Sequence, residues 1–250
     1  MQYGLGHLSV APLRIAPDNS SEMITQILYG DHFKIKEERK FWSRIQLIAD
    51  GCEGWLDNRQ LTKINEETFL TLDAVTQPTL SQDLLSYIAT KDDMLCPIVL
   101  GSRLDIAPLL NHKYEEEEVI TTKNRTNLVN TAFMYLNAPF LWGGKTPIGI
   151  DSAGLTQMVY KLNGVNLLRT TQEQARQGDA LSFIEESEPG DLAFFDNTDG
   201  IIDHVGIILK DNYIIHAYGK VRIDRIDHTG IFNTEENRYS HQLRVIKKIL

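Results

Sequence analysis

The sequence predicts an α+β chain in which a small β-barrel domain precedes a larger domain of helices followed by antiparallel strands. Three observations predict it. Short strand patterns crowd residues 1–63, a Gly- and Pro-rich loop opens onto an apolar helix near residue 152, and strand patterns bearing histidines follow that helix.

In chain order, residues 8–15, 24–29, 32–36, 42–48 and 54–56 read as short strands, because apolar runs there are punctuated by the turns Pro17-Asp18-Asn19, Gly30-Asp31 and Asp50-Gly51. Several short strands at such close spacing suggest a small barrel over 1–63, with Trp42 and Trp55 as core or groove aromatics. Residues 64–122 are less legible. Segments 66–72, 83–89 and 96–101 fit either a helix-and-strand connector or a degenerate second barrel, and the pattern does not choose between them. Glu115 to Glu118 form an acidic run expected on a solvated loop or strand edge.

From residue 125 to 135, Leu128, Val129, Ala132, Phe133 and then Leu136 recur at helical spacing, with Asn124 or Thr126 available as an N-cap. This helix is expected to support the loop that carries Trp142. The loop runs through Gly143-Gly144 to Asp151-Ser152-Ala153-Gly154-Leu155, where Leu155, Met158, Val159 and Leu162 mark a second apolar helix. A small polar residue at a helix mouth is where a nucleophile is mounted, because the helix N-terminus favours negative charge there. Residues 191–195, 203–209 and 213–219 then read as strands. His204 and His216 fall on neighbouring strands of that series, and adjacent antiparallel strands can set two imidazoles side by side. A lone histidine at a strand start is more often a surface or capping residue. As metal ligands these two would need Asp151 or Asp203 beside them. There is no His-Glu-x-x-His and no paired Cys, so no metal and no cofactor is expected.

Composition narrows the function classes. With 42% hydrophobic residues in 250, the chain can bury a sizeable core, and a formal charge of -9 disfavours nucleic acid or an anionic membrane as partner. No apolar run approaches the roughly 18 residues of a membrane span. The first ten residues lack the basic and apolar regions of a secretory signal. Cys52 and Cys96 lie in separate segments, which favours unpaired thiols in a reducing compartment. The cytoplasm is the expected location.

The stretch from Tyr135 to Leu155, followed by Asp191-Leu192-Ala193-Phe194-Phe195, His204-Val205-Gly206-Ile207 and His216-Ala217, resembles the NlpC-type cell-wall cysteine peptidases. The resemblance covers about residues 123–250 and implies a papain-like domain. The pattern Val-x-Pro-Leu-Arg, Gly30-Asp31 and Gly54-Trp55-Leu56 resembles the bacterial Src-homology-3-like domain that often precedes it. Two positions depart from the family pattern: Phe140 stands where it has Tyr, and Ser152 where it has the nucleophilic Cys.

The resemblance implies that Ser152 occupies the nucleophile position, that His204 is the general base and that His216 orients it. It implies substrate contacts from Trp142, Tyr135, Ala153 and Asp151. The substrate it implies is a peptidoglycan stem peptide, cut between γ-D-glutamate and an L-diamino acid. Members that require a free N-terminal L-Ala neutralise its amine with the Asp before the nucleophile, matched by Asp151, and an acidic barrel residue, for which Glu22 is the candidate. Asp151 reads equally well as the N-cap of its helix. With a cytoplasmic location, recycling of murein peptides is the implied role. A hydroxyl does not ionise as a thiol does in such a site, so a chain with Ser152 is expected to be nearly inactive. Either a catalytic Cys has been replaced, or the chain is a natural pseudoenzyme that binds murein peptides without cutting them. A working serine hydrolase would need a site retuned for the less acidic nucleophile.

Overall fold

Alternation of buried and more exposed residues, clearest at 10–14 and 42–47, marks strands in the first part of the chain. The computed structural model describes residues 1–114 and 125–250, and the backbone divides into two units, Met1–Thr121 and Thr122–Leu250. In the first, β1 (Gln2–Leu5), β2 (Val10–Arg14), β3 (Met23–Leu28), β4 (His32–Glu38), β5 (Trp42–Leu47), β6 (Glu53–Asp57) and β7 (Thr62–Ile64) form an antiparallel sheet in the order β3-β2-β6-β5-β4-β1-β7. The sheet encloses Leu13, Ile27, Phe33, Ile45 and Leu56, all fully buried. Trp55 is buried, with the Arg39 guanidinium 4.3 Å over its ring.

After the sheet, α1 (Glu66–Asp73) starts where the Asn65 carboxamide accepts the Thr68 N–H at 2.8 Å. It is followed by a hairpin of β8 (Leu85–Ala89) and β9 (Leu95–Val99). Leu72, Ile88, Ile98, Leu104 and Ile106 share one core with Leu5 of β1 and Tyr29, so this segment is packed into the first unit. Neither Cys52 nor Cys96 is in a disulfide. The acidic run at residues 115–118 and the possible cap Asn124 lie outside the described residues.

The second unit opens with α2 (Arg125–Met134), a short hairpin of β10 (Lys145–Thr146) and β11 (Gly149–Ile150), then α3 (Ser152–Leu162) and the single-turn α4 (Thr171–Gln174). Strands β12 (Asp179–Leu181), β13 (Leu192–Asp196), β14 (Ile202–Ile208), β15 (Tyr213–Tyr218), β16 (Lys220–Ile226), β17 (Gly230–Asn233) and β18 (Arg238–Lys248) follow, ordered β12-β18-β13-β14-β15-β16-β17. Because β18 pairs with both β13 and β17, the strands from β13 to β18 close into a barrel. Every residue of α3 except Lys161 is buried, and the helix packs on α2, β14 and β15. It is therefore the enclosed helix of this unit, and its buried polar side chains Thr156 and Gln157 are paired: Thr156 Oγ1 donates to Gln174 Oε1 at 2.7 Å and Gln157 Nε2 to Leu167 O at 3.0 Å. Among the described residues no helix is long and apolar enough to cross a membrane.

One contact fixes the height of α3 against the loop before it. A Cβ on Gly154 would stand 2.2 Å from the Gly144 carbonyl oxygen, far inside van der Waals distance. Helix propensity alone favours Gly154→Ala by roughly 1 kcal/mol. The clash is with rigid backbone, and overpacking of this kind costs about 1–3 kcal/mol or more. Gly154→Ala is therefore expected to lower the urea midpoint, against the sign of its helix propensity.

Candidate active site

The loop before α3 is held by its own backbone. Leu141 N–H donates to Ile150 O, Ile150 N–H to Pro139 O, and Phe140 N–H to Gly219 O, which ties the loop to the turn between β15 and β16. Gly143 adopts φ +76°, the left-handed region a residue with a Cβ avoids. At the junction with α3, Asp151 caps the helix. Its Oδ1 accepts the Gly154 N–H at 2.6 Å and its Oδ2 the Gly143 N–H at 2.8 Å.

The remaining lone pairs of Asp151 go to Arg169, at 3.1 Å from Nη1 to Oδ1 and 2.6 Å from Nη2 to Oδ2. Both side chains are buried, so the carboxylate is matched by a bidentate guanidinium inside the protein. Ser152 is the first residue of α3 and 6% exposed, placed at the positive end of the helix dipole.

Strands β14 and β15 carry His204 and His216 and lie directly beneath α3. His204 Nε2 and His216 Nδ1 are 2.8 Å apart, and His216 Nε2 is 3.0 Å from Asp224 Oδ2. Gly206 faces His216 across the ladder, and a Cβ there would meet the His216 Cβ at 3.0 Å, so the glycine leaves the ring its place. Asp224, on β16, is itself held by Arg222, whose Nε donates to Oδ2 at 2.6 Å and Nη2 to Oδ1 at 3.0 Å. Burial acts to raise the Asp224 pKa, but the hydrogen bonds from His216 and Arg222 outweigh it and keep the acid ionised.

That chain of partners assigns the tautomers. A carboxylate only accepts, so His216 carries its proton on Nε2 and accepts at Nδ1. His204 must then donate from Nε2, which leaves the lone pair on Nδ1. The arrangement is a neutral base whose basic atom is defined by a partner two rings away. Burial, with the neighbouring His241 and His216 adding to it, lowers the His204 pKa well below the ordinary value. Burial also lowers that of His216, against the opposing pull of Asp224.

A third imidazole was not legible in the sequence. His241 of β18 stacks on His204 with ring centroids 4.0 Å apart and planes 21° from parallel. Its Nδ1 lies 2.8 Å from Ser240 Oγ, and Tyr218 meets its ring edge-on at 4.9 Å. His241 comes to the site because the barrel closes: β13 pairs with β14 at Phe195 and His204 and with β18 at Phe195 and Leu243, with bulges in both pairings beside Phe195. Burial first, then His216, pushes the His241 pKa down to about 4.

The structure sorts the expected substrate residues. Trp142 is 60% exposed on the loop. Ala153 is buried, its carbonyl accepting from Gln174 Nε2 at 3.0 Å. Tyr135, expected to touch substrate, is instead fully buried, and its hydroxyl has no hydrogen-bond partner among the described residues. Tyr135 directly follows α2, and its ring lies among the core residues of this unit. Glu22 is exposed in the first unit, between β2 and β3. Arg169, Asp224 and His241 had no motif to announce them. Only the alternation Arg222-Ile223-Asp224 hinted that an acid and a base share one strand face.

Comparison with known proteins agrees with this geometry. Residues 137–237 match the NlpC/P60 family and residues 13–61 the bacterial dipeptidyl-peptidase Sh3 domain. The chain thus joins an SH3-like β domain to an NlpC/P60 domain, and several of its curated relatives carry peptidase names. It is 27% identical to a γ-D-glutamyl-L-lysine dipeptidyl-peptidase of Bacillus cereus, over 80% of this chain and 68% of that one. It is 24% identical to the Bacillus subtilis protein of the same name, over 77% and 71%. A crystal structure of an NlpC/P60 family protein from Bacillus cereus superposes with a TM-score of 0.79 at 20% identity, covering 99% of both chains, and shows the shared fold.

Two stability measurements test the polar core. Asp151→Ala removes a helix cap, worth about 1 kcal/mol, and takes the carboxylate from its buried ion pair with Arg169, a change that costs about 3–5 kcal/mol where such pairs are broken. Denaturant unfolding is expected to show the larger loss. The second concerns pH. The folded pKa of His241, about 4, lies below the ordinary 6.5, so the unfolded chain binds the extra proton and stability present above about 6.5 is lost as pH falls toward 4. Thermal melts between about pH 7 and pH 4.5 are expected to show a shallower decline for His241→Phe.

Proposed function

We propose that this chain has the architecture of a peptidase that cuts the γ-D-glutamyl-L-diamino acid bond of peptidoglycan stem peptides, with residue 152 as nucleophile position, His204 as general base and His216 as its orienting partner. The observation that supports it most is the relay His204, His216, Asp224, Arg222, which leaves His204 Nδ1 as the basic atom on a strand packed against α3. The names of the Bacillus relatives supply the bond.

In a cysteine form the reaction runs as acyl transfer. His204 Nδ1 takes the thiol proton, the thiolate attacks the γ-carbonyl of D-glutamate, and the imidazolium returns the proton to the leaving amine of the diamino acid. Water then cleaves the thioester with His204 again as base. Asp224, paired with Arg222, keeps His216 in the tautomer that the relay needs. Ser152 lacks the acidity for the first step, and in this form the chain binds stem peptides with little or no turnover. The second reading, a natural binding protein, is favoured by that residue alone.

A free L-Ala amine is the finer part of the proposal, with Asp151 and Glu22 as the acidic groups that read it. Asp151 already has Arg169 as counter-ion, so an ammonium gains less there than from an unpaired carboxylate. Murein-peptide recycling in the cytoplasm is the role that suits a requirement for a free amine, because the L-Ala amine of intact wall is blocked.

Ser152→Cys is expected to release L-Ala-D-Glu from a tripeptide or tetrapeptide stem in a reaction stopped by iodoacetamide. Absence of release with every diamino acid tried would leave the binding reading. In that variant, His204→Ala is expected to cost several orders of magnitude in turnover and His216→Ala distinctly less. Calorimetry of the Ser152 chain with free and N-acetylated stem peptides tests the amine: equal affinities would favour an endopeptidase acting within longer wall fragments.

A further inference from the structure

The relay uses two imidazoles, yet three meet at this point of the barrel. The ligand-capable atoms of His204, His216 and His241 all lie within 4.8 Å of one another. We propose that these three residues form a binding site for a single divalent cation of the zinc type, and that the occupied site excludes general-base catalysis at residue 152. The second clause rests on the function proposed above; the first does not.

The donor set fits that chemistry. Three neutral imidazoles with an open fourth position are a known arrangement for zinc, whereas magnesium and calcium require oxygen ligands. Two of the rings are fixed through the nitrogen that a metal would not use. His216 gives Nε2–H to Asp224, and His241 Nδ1 is held at 2.8 Å by the Ser240 hydroxyl. His216 Nδ1 and His241 Nε2 are thereby left for an ion. An imidazole that binds metal with one nitrogen while its other N–H rests on a carboxylate is the usual way such a ring is oriented.

The adjustment required is small for two rings and larger for the third. Zinc takes imidazole nitrogens at about 2.0–2.1 Å, so tetrahedral neighbours lie about 3.4 Å apart. His204 Nε2 and His216 Nδ1, now 2.8 Å apart, open by about half an ångström as the ion replaces the proton between them. That proton moves from His204 Nε2 to His204 Nδ1, a change of tautomer with no net proton released. His241 swings off the face of His204, and it is the one ring of the three that is only partly buried. Asp224 keeps its pairing with Arg222 throughout, so the charge at the site rises only by that of the ion.

The functional consequence follows from the tautomer. With the ion on Nε2 and a proton on Nδ1, His204 has no lone pair for a thiol. Zinc would therefore inhibit a cysteine form, and in the serine form it would occupy the site without competing chemistry.

The test uses the full chain, stripped with EDTA and dialysed. Calorimetric titration with zinc is expected to give one ion per chain, unaffected by excess magnesium, and cobalt is expected to give the visible bands of a tetrahedral site. His241→Phe keeps an aromatic ring against His204 but removes a ligand, and it is expected to weaken binding more than about 100-fold, the upper end of what losing an outer partner of a ligand costs. Asp224→Asn is expected to weaken it by about 10–100-fold. His228→Ala, at an exposed position, is expected to change nothing. Thermal melts identify any variant that fails to fold, and nitrogen-15 shifts of the His204 and His216 rings on adding zinc to the unaltered chain report the site without a substitution. No stoichiometric binding, ring shifts absent, or affinity unchanged in folded His241→Phe overturns the proposal. In the Ser152→Cys variant, the zinc midpoint for inhibition is expected to match the binding midpoint. If that variant proves inactive, the peptidase reading fails while the binding result stands by itself.

Discussion

The carboxylate of Asp151 holds three separate pieces of chain together. Its oxygens accept from Gly143 in the loop, Gly154 in the first turn of α3 and Arg169 in the segment after that helix. An ionised acid at this depth is tolerable only because every lone pair has a donor and the charge has a counter-ion. The position of residue 152 follows from it. The loop cannot lift from the helix without breaking a charge-assisted hydrogen bond, and the helix cannot slide because Gly154 rests against the Gly144 carbonyl. The same group that caps the helix thus sets residue 152 against the strands below.

Those strands supply the second constraint, which is directional. Arg222 fixes Asp224, Asp224 fixes the proton on His216, and His216 fixes the proton on His204. Each step is a donor meeting an acceptor that has no other choice, so the basicity of one nitrogen is set by an ion pair on β16. Burial keeps all three rings neutral, which is the protonation state that both a base and a metal ligand require.

How far the sequence discloses this depends on the range of each interaction. The strands of the first unit were legible because alternation and turn residues are local, and so was α3, whose apolar positions repeat every turn. His204 and His216 could be paired because they sit one hairpin apart. Arg169, Asp224 and His241 were not found, since each reaches the site by packing or by strand closure, and nothing in its neighbours records the partner. Tyr135 stands beside the loop in sequence, and its burial just past the end of α2 is likewise not recorded in its neighbours. At 64–122 the pattern leaves a connector and a second barrel equally open, and the shared core of Leu5, Tyr29, Leu72 and Ile98 shows the helix and hairpin packed onto β1.

The closure of the barrel by β18 has a consequence for the order in which the molecule comes into being. Chains emerge from the ribosome from the N-terminus, and β18 follows every other strand of the barrel. Until it emerges, β13 and β17 both present an open edge, and His204 lacks the ring that covers its face. In the second unit the barrel closes only when β18 enters between β13 and β17, so the last strand of the barrel to be made is the one that covers the face of His204.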